Sequence, residues 1–216
     1  MNKNIIIIEN LSKSFKGIEI LKNINVKFES GKIYGIMGRN GCGKSVLFKL
    51  ICGFYKPSSG SILLNNVSYV SDDSFLPNTR ALIENPAFLP DLTGYENLRF
   101  LASIQKNIGD EEIFQILKDV NLYDEKDKKY SKYSLGMKQK LGIAQVLMEK
   151  PEIMIFDEPF NSLEEVSVEK IKNIFLEEKK KGKIILLSSH IKDDIVSLAD
   201  EVYTLDNGEL KLTNLW

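Results

Sequence analysis

Asn4 to Glu9, an aliphatic run between polar ends, and Glu19 to Phe28, where apolar and polar positions alternate, read as strands, with Gly17 and Ser30-Gly31 as the turns. Ile33-Tyr34-Gly35-Ile36-Met37 is instead an unbroken apolar run. It leads through Gly38 to Ser45 into Val46-Leu47-Phe48-Lys49-Leu50-Ile51, a helix expected to stop near Gly53. Pro57-Ser58-Ser59-Gly60 marks a turn before short strands at Ser61 to Leu64 and Ser68 to Val70. From Gly94 the period changes to that of helices, at Tyr95 to Ile104, Glu111 to Val120 and Leu135 to Glu149, the last placing Met137, Leu141, Ala144 and Met148 on one face. After Pro151 the run Ile153-Met154-Ile155-Phe156 suits a central parallel strand buried on both faces. A helix over Glu164 to Lys180, a buried strand over Lys183 to Ser188, and a hairpin of Glu201 to Leu205 with Glu209 to Leu212 around Asn207-Gly208 complete the pattern. The prediction is an α/β fold in one unit: a strand-rich core and lobe over about residues 1–89 and 151–216, with a helical subdomain inserted over about residues 90–150.

Length and composition agree with a single unit, since 216 residues, 43% of them hydrophobic, bury one sizeable core or two joined lobes. The 29 Lys and Arg balance 30 Asp and Glu, which leaves no basic field, so no nucleic acid partner is expected. The longest aliphatic run, Ile5 to Ile8, is far too short to cross a bilayer and no cleavable signal precedes it; the expected location is cytoplasmic, at most peripheral to a membrane. Cys42 and Cys52 lack metal-type spacing, and Cys52 reads as an apolar filler on the helix. The run Glu177-Glu178-Lys179-Lys180-Lys181 is a solvated helix end whose lysines complement the dipole.

The candidate chemistry begins at Gly38-Arg39-Asn40-Gly41-Cys42-Gly43-Lys44-Ser45, between a strand and a helix. A glycine-rich turn there lets successive backbone amides converge on phosphate at a helix N-terminus, so Gly38, Asn40, Gly41, Cys42, Gly43 and Val46 are candidate nucleotide contacts. Lys44 is expected at the β- and γ-phosphates and Ser45 at Mg²⁺. Asp157-Glu158 follows the apolar strand at the sheet's C-terminal edge; Asp157 suits Mg²⁺, and Glu158 suits the water that attacks the γ-phosphate. His190, the one histidine, follows the next strand and is expected to position that water or the phosphate.

This order of motifs resembles the ATP-binding cassette (ABC) family over essentially the whole chain, with Tyr133-Ser134-Leu135-Gly136-Met137-Lys138-Gln139 similar to that family's signature sequence. The resemblance implies a P-loop NTPase (RecA-like) core with an antiparallel β lobe and an inserted α-helical subdomain. It also implies two ATP molecules sandwiched in a head-to-tail dimer, each gripped by one phosphate loop and by Ser134 and Gly136 of the second cassette. Phe15 occupies the place of the family's adenine-stacking aromatic. Glu84 stands where the family has a glutamine, and its charge should either strengthen Mg²⁺ coordination or call for protonation or a cationic neighbour. Val46 replaces a common threonine, and Glu164 a common aspartate.

Glu84, Pro86-Ala87-Phe88, Leu92-Thr93-Gly94 and the signature together are similar to the bacitracin-resistance and lantibiotic-immunity branch of ABC exporters. That branch implies ATP hydrolysis powering export of a peptide antibiotic or similar amphipathic compound. The partner would be a membrane-spanning subunit on another polypeptide, docked in the groove near Glu84 to Glu96 on the cytoplasmic face. The alternative is a soluble ABC ATPase driving a cytosolic assembly, repair or translation complex.

Overall fold

The computed structural model describes residues 4–68, 75–105 and 108–213. Strands β1 (Ile5–Phe15), β2 (Ile18–Glu29), β4 (Ser59–Leu64) and β5 (Val67–Ser68) form an antiparallel sheet in the order β2-β1-β4-β5. The second sheet is β10-β9-β3-β8-β7-β6, built from β3 (Lys32–Met37), β6 (Thr79–Leu82), β7 (Ile153–Asp157), β8 (Ile184–Ser189), β9 (Glu201–Asp206) and β10 (Glu209–Leu212). Its strands are parallel from β9 to β6, and β10 pairs antiparallel at the edge.

β7 and β8 are buried along their whole length, which is why their sequences are continuous apolar runs. Met154 and Phe156 of β7, with Ile185 and Leu187 of β8, face a core shared with Leu141 and Ala144 of helix α4 (Leu135–Met148) and Phe175 of α5 (Glu165–Lys180). The alternate residues, Ile153, Ile155, Ile184 and Leu186, face a second core with Leu47, Phe48 and Ile51 of α1 (Lys44–Cys52) and Phe28 of β2. Period-two alternation thus makes one sheet the wall between two apolar interiors. Helices α2 (Gly94–Gln105) and α3 (Asp110–Asp119) bury Leu98, Ile113 and Leu117 in the α4 side.

The predicted helices and strands hold within a few residues, with three differences. β1 runs on to Phe15, past a shift of register at Asn10, which adopts φ +48°. Two elements were not foreseen: β6, and the short α6 (Lys192–Val196). The strand expected at Ser68 to Val70 is described only at Ser68, as part of β5; its remainder lies outside the described residues.

Candidate functional site

β3 ends at Met37 and α1 begins at Lys44, with Gly43 at φ +113° in the N-cap position, a backbone state closed to most L-residues. Gly43 supplies no side-chain cap, so the amides of the first turn of α1, which a helix cannot satisfy internally, remain available to an anion. They border a cleft of about 440 Å³ lined by Phe15, Asn40, Gly41, Gly43, Val46 and the charged or hydroxylic groups of Lys44, Ser45, Asp157 and Glu158. Lys44 is only 6% exposed; its Nζ donates to the Gly38 carbonyl at 2.7 Å and stands 3.2 Å from Glu158 Oε1.

Asp157 closes β7 and is 7% exposed. Ser45 Oγ donates to its Oδ2 at 2.5 Å, and Ser188 Oγ, level with it on β8, donates to Oδ1 at 2.5 Å. A carboxylate and a hydroxyl side by side are hard oxygen donors of the kind Mg²⁺ takes, so the pair fits that ion. Glu158 follows in a left-handed conformation, φ +52°. Its amide donates to Ser188 Oγ at 3.0 Å, and its Oε2 lies 2.9 Å from His190 Nδ1. Oε1 is buried beside the cleft, ion-paired with Lys44 Nζ at 3.2 Å and without a hydrogen-bond partner among the described residues. The structure therefore brings the phosphate loop, Asp157, Glu158 and His190 together, and a neighbouring hollow of about 450 Å³ joins His190 to Gly38 and Asn40.

Other expected residues sit at the periphery. Phe15 is 38% exposed, packed edge-on against Tyr55 with ring centroids 5.4 Å apart, and Lys13 Nζ lies 4.8 Å over its ring. Cys42 is half-buried in the loop, whereas Cys52 is a core residue whose thiol is pushed up to about 12 by burial. Glu84, just beyond β6 at φ +62°, pairs with Lys49 of α1, and the bond raises the lysine's pKa above its ordinary value. Among the described contacts none joins Glu84 to Ser45 or Asp157; the cationic neighbour anticipated for it is Lys49. Ser134 caps α4 by accepting from the Met137 amide at 3.2 Å, and the described lining of the Lys44 cleft includes nothing from α4. Gly136 comes so close to the loop after β7 that a Cβ there would stand 2.6 Å from the Ser162 carbonyl oxygen.

Three contributors escaped the sequence reading: Ser188, Lys49 and Gln139. Ser188 had a signal, as a polar residue ending an apolar strand. Lys49 had none, because its partner is distant in sequence; Gln139 stood in the signature stretch, but nothing there pointed to its partners at Glu158 and Pro159.

The sequence matches the ABC transporter family over residues 21–161. It is 40% identical to the ABC transporter ATP-binding protein YybJ of Bacillus subtilis, across 94% of this chain and 93% of that protein. It is 36% identical to the bacitracin transport ATP-binding protein BcrA of Enterococcus faecalis, across 94% of this chain and 66% of the relative, and 33% identical to the lantibiotic transport ATP-binding protein SrtF of Streptococcus pyogenes, across 95% and 88%. Among solved structures, the dimeric bacterial ABC transporter cassette MJ0796 superposes with a TM-score of 0.88 at 26% identity, covering 98% of this chain and 99% of that one.

Proposed function

This chain belongs to the ABC transporter family and is an ATP-binding ATPase subunit, and from that premise we propose that it powers export of a peptide antibiotic or similar amphipathic compound through a separate membrane subunit. The reading places this chain on the cytoplasmic face, beside a membrane subunit that carries the pathway; no described helix of this chain is long and apolar enough to cross a membrane. The observation that carries the export reading is similarity over nearly the whole chain to proteins described as bacitracin and lantibiotic transport subunits. Glu84 in the loop after β6, balanced by Lys49, lies within the stretch given to the membrane partner.

In the proposed site the loop from Gly38 to Val46 holds the phosphates, Lys44 supplies positive charge, and Phe15 stacks on the adenine. Ser45 and Asp157 would hold Mg²⁺, which would neutralise phosphate charge. Glu158 Oε1 takes a proton from the attacking water as the water oxygen bonds to the γ-phosphorus and the bridging oxygen departs with ADP. His190 holds Oε2, which leaves Oε1, paired with Lys44, as the oxygen for the water. Ser134 and Gly136 of a second cassette complete each site across the dimer.

Affinity capture of this chain from gently solubilised membranes is the test, with resistance to the peptide followed in cells. The expected result is a multi-span membrane protein in stoichiometric amount, and resistance lost on Glu158→Gln, with ATP turnover down by about 10²- to 10⁴-fold and ATP binding retained. Recovery of soluble partners alone, with other membrane complexes intact, would overturn the export reading in favour of the cytosolic assembly role.

A further inference from the structure

Glu158 combines a catalytic assignment with a backbone state that a non-glycine residue leaves unless its surroundings enforce it. On the β8 side, Ser188 Oγ accepts its amide hydrogen. On the other side its carbonyl receives Gln139 Nε2 at 3.2 Å, and the same nitrogen reaches the Pro159 carbonyl at 3.1 Å. The two N–H bonds of one carboxamide are thus spent on two consecutive carbonyls, that of the Glu158-Pro159 peptide bond and that of the next. Proline has no amide hydrogen with which that peptide could anchor itself. Gln139 is 8% exposed, so water has little access to replace these bonds.

Gln139 lies on α4, which opens at the Ser134 cap. Three residues before it on the same face, Gly136 presses on the Ser162 carbonyl. The first turns of α4 therefore grip the segment from Glu158 to Ser162 at two places, and the grip nearest the carboxylate is the Gln139 amide.

We propose that Gln139 is a positioning residue for hydrolysis: through the Glu158 and Pro159 carbonyls it fixes the direction of the Glu158 carboxylate and ties it to the state of the α4 N-terminus. The inference rests on the proposed roles of Glu158 and Ser134. A displacement of Ser134 and Gly136 by a ligand moves a rigid helical turn, and the amide carries that motion to the carbonyl of the residue that takes the proton. The phosphate loop is joined to α1, which packs on the opposite side of β7 and β8, and Gln139 makes no described contact with that loop, so its loss is expected to act on turnover more than on ATP affinity.

The test is steady-state ATPase kinetics and calorimetric ATP binding on the full chain in its complex, with Gln139→Met, which keeps the length and loses the donors, and Gln139→Asn, which withdraws them. Both variants are combined with Glu158→Gln. For Gln139→Met the expected result is kcat lowered about 10- to 100-fold with ATP affinity within about twofold of wild type; Gln139→Asn shows the same pattern to a smaller degree. Because the amide acts through Glu158, neither substitution lowers the residual rate of Glu158→Gln further. Unchanged kcat in both single variants, parallel loss of kcat and ATP affinity, or additive loss in the double variants overturns the proposal. Full turnover in Glu158→Gln alone refutes instead the assignment on which the inference rests.

Discussion

Replacing Ser188 with alanine removes one hydroxyl that serves two masters. Its O–H donates to Asp157 Oδ1 at 2.5 Å, and its oxygen accepts the Glu158 amide at 3.0 Å, in a residue with no exposed surface. The bond to the carboxylate is charge-assisted and contributes about 1.5–3 kcal/mol; the neutral one contributes about 0.5–1.5 kcal/mol. Alanine fills nearly the same volume, so almost no cavity term is added, and the expected loss is about 2–4 kcal/mol. With a urea m-value of about 2 kcal/mol per molar, the midpoint of unfolding falls by about 1–2 M. Equilibrium urea unfolding without nucleotide or metal, followed by fluorescence and circular dichroism together, reads this directly. Ser189→Ala is the control: among the described contacts that hydroxyl accepts the nearby Ile191 amide alone, and its removal costs about 0.5–1.5 kcal/mol. A Ser188→Ala midpoint within about 0.2 M of wild type, or equal losses in both variants, would refute the bridge between β8 and the acids at the end of β7.

Gly136→Ala places a methyl carbon 2.6 Å from the Ser162 carbonyl oxygen, so α4 or the loop must shift; overpacking of about 1–3 kcal/mol exceeds the gain of about 1 kcal/mol in helix propensity, and thermal unfolding should show a net loss. A variant more stable than wild type contradicts the close approach. At the start of α2, Thr93 and Glu96 exchange bonds, the Thr93 amide donating to Glu96 Oε2 at 2.8 Å and the Glu96 amide to Thr93 Oγ1 at 3.1 Å, which holds the Glu96 carboxyl below its ordinary 4.5. Its contribution is present above that value and is lost as pH falls through the lower folded-state pKa. The difference in unfolding free energy between wild type and Glu96→Gln should therefore be constant at neutral pH and shrink in acid; a difference indifferent to acid would exclude the carboxylate cap.

Elements buried on both faces were the easiest to read, because β7 and β8 have no polar residue until the acids and serines at their ends. β6 was missed because Thr79-Arg80-Ala81-Leu82 sits at the sheet edge, where a single neighbour, β7, asks for little hydrophobicity. α6 was missed because Lys192-Asp193-Asp194-Ile195-Val196 is too short to show a helical period. At the site, Lys44, Ser45, Asp157 and Glu158 were legible because chemistry demands those residue types beside a strand end. Gln139 was read only as part of the signature stretch, and its hold on the Glu158 and Pro159 carbonyls was not legible. α4 is buried round most of its circumference, so no polar face sets one buried amide apart. Glu84 could be recognised as a charge in need of compensation, but only folding could bring Lys49 to it from 35 residues away.

The sheet that walls off one apolar interior from the other gives the two ends of the site different foundations. α1 leans on Leu47, Phe48 and Ile51 in one chamber, and α4 leans on Leu141 and Ala144 in the other. Volume changes that accumulate beneath α4, the helix proposed to meet a second cassette, need not reach the floor under the phosphate loop. Such a molecule can drift in the company it keeps while its grip on phosphate stays put, and the strands of the dividing sheet, β3, β7, β8 and β9, which belong to both chambers, are denied that freedom.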